Sequence, residues 1–126
     1  MKSDTIYIGE HSFPTLVAIT TDEQAKGLMH KQWPPPVMAF PYARAGVRKF
    51  WMKNTISPLD IIFCRDNKIV DICYGEPLSL AEVGPNELCD LVVEFPHGTV
   101  KQCGFRIGDT IKMSCSDKTI YGMCLR

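Results

Sequence analysis

Phe50-Trp51-Met52-Lys53-Asn54-Thr55-Ile56-Ser57-Pro58-Leu59-Asp60-Ile61-Ile62-Phe63 sits in the middle of the chain and orders the rest of it. Its second half, continued to Cys64, reads as a strand. Leu59, Ile61 and Phe63 fall on one face of a strand and Asp60, Ile62 and Cys64 on the other. Its first half reads as a strand over Lys49–Thr55, with Phe50, Met52 and Asn54 facing one way and Trp51, Lys53 and Thr55 the other. Pro58 breaks any ladder between the two. Polar side chains among so many large apolar ones need partners or serve something else.

Short strands extend outward on both sides. Thr5–Ile8 and Phe13–Thr20 make a hairpin about Gly9-Glu10. Thr21-Asp22-Glu23-Gln24 has the pattern of a helix start, with Thr21 as the cap, Gln24 reaching back and Gly27 as the stop. Ala25, Leu28 and Met29 are expected towards the core. Trp33-Pro34-Pro35-Pro36 reads as a rigid connector rather than a ligand for a proline-binding module. Val37–Phe40 is the next short strand, and Pro41–Gly46 a loop. Arg44, Arg48 and Lys49 form a small basic cluster, either solvated or a weak anion contact.

After the central stretch, Asp66-Asn67-Lys68 turns the chain and Ile69–Tyr74 returns antiparallel. Gly75–Asn86 is a long surface loop, a kind often used for function. Leu88–Phe95 is a buried strand that carries Asp90 and Glu94. Thr99–Phe105 gives one or two helical turns, Gly108-Asp109 a turn, Thr110–Cys115 a strand and Thr119–Leu125 a last one. Turn signals this frequent predict a mainly β domain spanning residues 1–126. The expected architecture is an antiparallel β-sandwich or partly open barrel with one or two short helices.

A chain of 126 residues buries enough surface to fold as one domain without staples. Fourteen basic residues cancel fourteen acidic ones, so charge supplies no reason to expect nucleic acid or an anionic membrane as partner. The N-terminal residues are polar and no apolar run is long enough to span a bilayer, which predicts a cytoplasmic protein. Export is the alternative if a leader has been removed. The six cysteines lie within apolar, strand-like segments and no pair has the two-residue spacing of a zinc or redox motif. Reduced, mostly buried thiols are expected, and export would allow one or two disulfides.

Several blocks together resemble the domain-of-unknown-function family 192, also called uncharacterised protein family 0127. They are Gly27-Leu28-Met29, Phe50-Trp51-Met52-Lys53-Asn54-Thr55, Pro58–Phe63, Val92-Val93-Glu94-Phe95-Pro96-His97-Gly98 and the Gly108-Asp109 turn. They cover roughly residues 13–113 in the family's order. The resemblance implies a mainly β single domain and no particular activity. The chain departs from the family's pattern at Pro36-Val37-Met38-Ala39-Phe40, lacks the leader of many bacterial members and has an extra tail from Thr119. A cytosolic or phage-borne variant fits those departures.

Trp51, Lys53, Asn54 and Asp60 form the first candidate site. An indole platform suits sugars, bases or cations, and the three polar groups add directional hydrogen bonds. Against this, Asn54-Thr55 suits a turn, Asp60 can accept backbone donors or pair with Lys53, and Trp51 can be core. Strand alternation also puts Asn54 on the face opposite Trp51 and Lys53. Glu94 is the second candidate: buried, it needs a partner, with Lys53 the obvious one, and otherwise it points to solvent. His11, His30 and His97 stand alone in sequence and form no metal-ligand spacing with Cys89 or Cys103. No phosphate loop, dinucleotide fingerprint or nucleophile elbow occurs, so no metal and no cofactor are expected.

These residues favour a non-enzymatic binding or interaction module, with Trp51, Lys53, Asn54, Asp60 and Glu94 as binding residues for a small ligand or protein partner. The loop Gly75–Asn86 is expected to roof the site. The alternatives are a small hydrolase or lyase using Asp60 or Glu94 with Lys53, and an inhibitor or adaptor that binds through edge strands or the proline segment.

Overall fold

The computed structural model describes residues 1–114. The strand expected over Thr119–Leu125, and Cys115 and Cys124, lie outside the described residues. Seven strands and two short helices follow one another: β1 (Lys2–Ile8), β2 (His11–Val17), α1 (Thr21–Lys26), β3 (Val37–Val47), β4 (Leu59–Arg65), β5 (Lys68–Gly75), β6 (Leu88–Pro96), α2 (Thr99–Cys103) and β7 (Ile111–Met113). All strands join one sheet in the order β5-β4-β6-β3-β2-β1-β7. Every pair is antiparallel except β2–β3, which α1 and the proline connector link in parallel.

The sheet curls until its two ends meet. Lys68 bridges Thr110, the Ile69 amide donates to the Asp109 carbonyl at 2.9 Å, and the Ile111 amide donates to the Asn67 carbonyl at 2.9 Å. The result is a half-barrel, the partly open barrel of the sequence reading rather than two stacked sheets. Pairing the ends in this way removes much of the open edge that a seven-stranded sheet would expose.

Two apolar layers follow from strand alternation. Ile62, Cys64, Val93, Phe95, Ile6 and Ile111 pack inside the curl, with Phe105 beyond α2 as a plug. Leu59, Ile61, Phe63, Val92, Phe40 and Met52 pack on the outer face. β4 therefore divides its side chains as expected, and both of its faces are covered. Complete burial of a side chain such as Phe63 contributes about 2–3 kcal/mol.

The local chemistry explains most boundaries. The β1–β2 hairpin turns on two residues, and Gly9 supplies the positive φ of 58° that such a turn requires. The helix cap lies one residue before the expected position. Thr20 Oγ1 accepts from the Glu23 amide at 3.0 Å, and Glu23 Oε1 accepts from the Thr20 and Ile19 amides. These donors hold the Glu23 carboxyl below its usual range. Gln24, expected to reach back to the cap, instead donates to the carbonyls of Ala18 and Pro41, tying α1 to the sheet. Of the three residues expected towards the core, only Leu28 is buried.

Two segments differ from expectation. β3 does not stop at Phe40. It continues to Val47 through a bulge, where the pairing with β6 jumps from Pro41↔Leu91 to Gly46↔Cys89. Pro41 cannot donate to a ladder, and a bulge accommodates it. Residues 48–58 are not a strand of the sheet. They lie across its outer face and pair with the long loop instead: Phe50 exchanges backbone hydrogen bonds with Val83, the Met52 amide donates to Ser79, and the Leu78 amide donates to Thr55. That loop comes so close that a Cβ on Gly84 would lie 2.5 Å from the Arg48 carbonyl oxygen.

Among the described residues, Cys64, Cys73, Cys89 and Cys103 are unpaired. No helix among them is long and apolar enough to cross a membrane.

Candidate functional site

The outer layer of the half-barrel has a gap between α1 and the segment 48–55. The cavity there holds about 230 Å³. The C-terminal turn of α1 forms one wall, and the rings of Phe40, Tyr42, Phe50 and Trp51 form others. Phe50 stands edge-on to Phe40, with ring centroids 5.0 Å apart, which fixes that corner.

Glu94 lines this cavity. On β6, Val93 and Phe95 turn into the curl, so Val92 and Glu94 turn outward beneath α1. Its neighbours across the ladder are Met38 and Ile61. The residue is 4 % exposed and has no hydrogen-bond or ion-pair partner among the described residues. Burial alone pushes its carboxyl up to about 8, so it is mostly protonated at neutral pH. Tyr42, beside it in the wall, is pushed up to about 12, mainly by burial, with the Arg48 charge pulling the other way.

Of the five residues singled out from sequence, the structure brings Trp51 and Glu94 to this one cavity. Trp51 is 49 % exposed at its rim. Lys53 does not meet Glu94; its ammonium lies 5.3 Å from the Trp51 ring centroid, on the exposed side. Asn54 is the turn residue that ends the alternation. It holds φ 55°, and its carbonyl accepts from the His30 amide at 2.8 Å. Asn54 readily adopts this left-handed conformation, which explains the residue type without a ligand.

Asp60 belongs elsewhere. Its Oδ2 accepts from the Gly98 and Val100 amides, both at 3.0 Å, and so caps α2 from a neighbouring strand. Its Oδ1 lies 2.8 Å from Nδ1 of His97, whose side chain is 52 % exposed. The Tyr74 ring meets the imidazole edge-on at 4.7 Å. Asp60 lies among the curl-facing residues of β4, and Glu94 among the outward-facing residues of β6, so the two carboxyls do not share a cleft.

Two members of the basic cluster, Arg48 and Lys49, are engaged within the chain, and the Arg44 side chain is exposed. The Arg48 guanidinium lies 3.9 Å from the Tyr42 ring centroid and donates to the Arg44 carbonyl. Lys49 Nζ donates to Gly84 and Asn86. The three histidines lie apart: His11 packs on Phe13 and Phe105, His30 sits in the turn beside Asn54, and His97 joins Asp60. Sequence reasoning missed Tyr42, hidden in an apparent loop after Pro41, and the His97–Asp60 pair. The two members of that pair carry no shared motif.

A family model described as DUF192, uncharacterised ACR, matches residues 5–113. A crystal structure titled a "putative transcription regulator" from Sinorhizobium meliloti 1021 is similar at 28 % identity and TM-score 0.82, covering 90 % of this chain and 95 % of that one. A protein of unknown function from Novosphingobium aromaticivorans DSM 12444 is similar at 30 % identity and TM-score 0.77, with 87 % and 83 % covered. No curated protein matches the chain.

Proposed function

The chain belongs to the DUF192 family, and from that premise we propose that it is a small-ligand binding module whose site is the cavity between α1 and the Phe50–Thr55 segment. One observation carries this reading: the Glu94 carboxyl, without a hydrogen-bond or ion-pair partner among the described residues and 4 % exposed, lines an aromatic-walled cavity. An isolated buried carboxyl destabilises a fold, and a ligand that hydrogen-bonds to it offsets that cost. Preformed concave sites with few polar groups among rings are the usual form of small-molecule pockets. The regulator named for the Sinorhizobium relative would call for nucleic-acid contact, and the balanced charge of this chain offers that little support.

Trp51 provides the test. In a Trp33→Phe background it is the sole indole, so its emission reports occupancy of the cavity rim. Small polar ligands that bind should change Trp51 emission and raise Tm together. If no compound in a broad fragment set does either, while Trp51→Ala merely weakens folding, the block is a folding device.

A second reading, acid–base chemistry, has the Asp60–His97 pair in its favour. The carboxylate holds Nδ1, which leaves Nε2 to act as a base beside the shelf of Trp33, Ile56 and Pro58. Cleavage of nitrophenyl esters above the buffer rate, abolished in His97→Ala, would support it; equal rates would remove it. For the setting, the cysteines among the described residues, all four unpaired, favour the cytoplasm.

A further inference from the structure

We propose that the ligand of this cavity is an organic cation, an ammonium or guanidinium group on a short apolar body, with Glu94 as its counter-ion. This inference rests on the reading of the cavity as a binding site and narrows it to one ligand class.

The first support is the carboxyl itself. Glu94 faces Met38 and Ile61 across the ladder, and no side chain or backbone group among the described residues neutralises it. The charged groups packed around it are accounted for. Lys49, on the segment above, spends its ammonium on Gly84 and Asn86. Lys26, in the last turn of α1, is exposed at the mouth. Arg48 is stacked on Tyr42. Burial is the sole cause acting on the Glu94 carboxyl, so none of these cations offsets its charge.

The second support is the wall. Four aromatic side chains line the cavity, and two of them already attract cations of this chain: Arg48 lies over Tyr42 at 3.9 Å and Lys53 near Trp51 at 5.3 Å. Aromatic rings attract ammonium and guanidinium groups, and the Phe40 and Phe50 rings of this wall have no cation over them among the described residues.

Size sets the body of the ligand. A cavity of about 230 Å³ has room for about seven waters at roughly 30 Å³ each, and thus for a charged head and a chain of about four carbons. The proton balance follows. The carboxyl enters the complex protonated, its O–H bond breaks as the cation arrives, and the proton passes to the buffer. The complex then holds one carboxylate and one cation with no net charge.

The experiment compares n-butylammonium, n-butanol and butyrate at equal ionic strength, using Trp51 emission in Trp33→Phe and calorimetry in two buffers of different ionisation enthalpy. Butylammonium should bind at least tenfold more tightly than butanol or butyrate and release nearly one proton at pH 7. Glu94→Gln keeps the size and hydrogen-bonding of the neutral carboxyl, so it should fold. It should lose both the tenfold preference and the proton release. Butanol binding as tightly as butylammonium, or a preference that survives Glu94→Gln, would overturn the cation assignment and leave the cavity as a binding site. Tighter butyrate binding would overturn it in favour of an anion. If none of the three binds and an Ala25→Phe plug leaves Trp51 emission unchanged, the binding-site reading fails and the inference fails with it.

Discussion

Like Arg48, whose Nε is buried without a hydrogen-bond partner among the described residues, Glu94 carries a cost of burial. Its carboxyl titrates near 4.5 when free and at about 8 in the fold, so the unfolded chain releases this proton first as pH rises. Below about pH 4 both states are protonated and the residue costs nothing. Between the two values stability falls with rising pH, by up to about 1.4 kcal/mol per unit, and above about pH 8 it levels off. Glu94→Gln should therefore match the native chain in urea unfolding at pH 4 and exceed it at pH 8 by a few kcal/mol. Equal stabilities at pH 8 would mean that the carboxyl has found a partner. Asp60 is the opposite case, a buried carboxylate with three donors. Asp60→Ala leaves the Gly98 and Val100 amides without an acceptor and should cost about 2–3 kcal/mol. His97→Ala, at a half-exposed position, should cost less than about 1 kcal/mol. If both variants cost the same, the imidazole rather than the helix cap is what Asp60 supports.

At the level of elements, α1 is both a wall of the cavity and its least secured part, since none of its residues is buried. Its stability rests on the Thr20–Glu23 capping box and on Gln24. Thr20→Ala should cost about 1 kcal/mol and speed hydrogen exchange at the Gln24 and Gly27 amides, leaving β4 and β6 protected. Uniform acceleration across the sheet would show that α1 and the sheet open together. The same helix shows how far a sequence can be read. Thr20–Glu23 and Thr21–Gln24 both satisfy a spacing of three, so the helix is visible and its register is not. β4 was legible because Leu59–Cys64 is a short apolar run bounded by Pro58 and the Asp66-Asn67-Lys68 turn, the pattern of a strand buried on both faces. The end of β3 was not, because Pro41 looks like a terminus when it is in fact part of a bulge. Lys49–Thr55 alternates like a strand because it does pair, but with Ser79 and Val83 in a loop, which the local pattern cannot distinguish from a sheet. As for the site, Trp51 and Glu94 were each visible as odd residues for their surroundings. Their meeting was not, since it depends on how a loop-paired segment crosses the sheet. Lys49 reaches the same cavity through that crossing, Tyr42 from the extended β3 and Gln24 from α1.

Across the whole molecule, the two apolar layers stand behind different barriers, and the cysteines distinguish them. Cys64 lies inside the curl, and Cys89 lies on the outer face, both fully buried. Burial raises the Cys64 thiol well above its usual range. Cys73 is partly buried, and burial together with Asp71 pushes its thiol up to about 11. Iodoacetamide reacts with the thiolate. Native labelling of Cys73 should thus be slow at pH 8 and rise about tenfold per pH unit towards 11, while Cys64 and Cys89 wait for the structure to open. The inner layer is closed by the seam where β5 meets β7, and Ile111 is its buried plug. Ile111→Ala removes about 2–4 kcal/mol of packing at that seam. If the curl can open there without unfolding, this variant labels Cys64 much faster and Cys89 at its former rate, as read by mass spectrometry of the labelled peptides. If the two cysteines accelerate together, the half-barrel unfolds as one unit, and the seam is no weaker than the strands it joins.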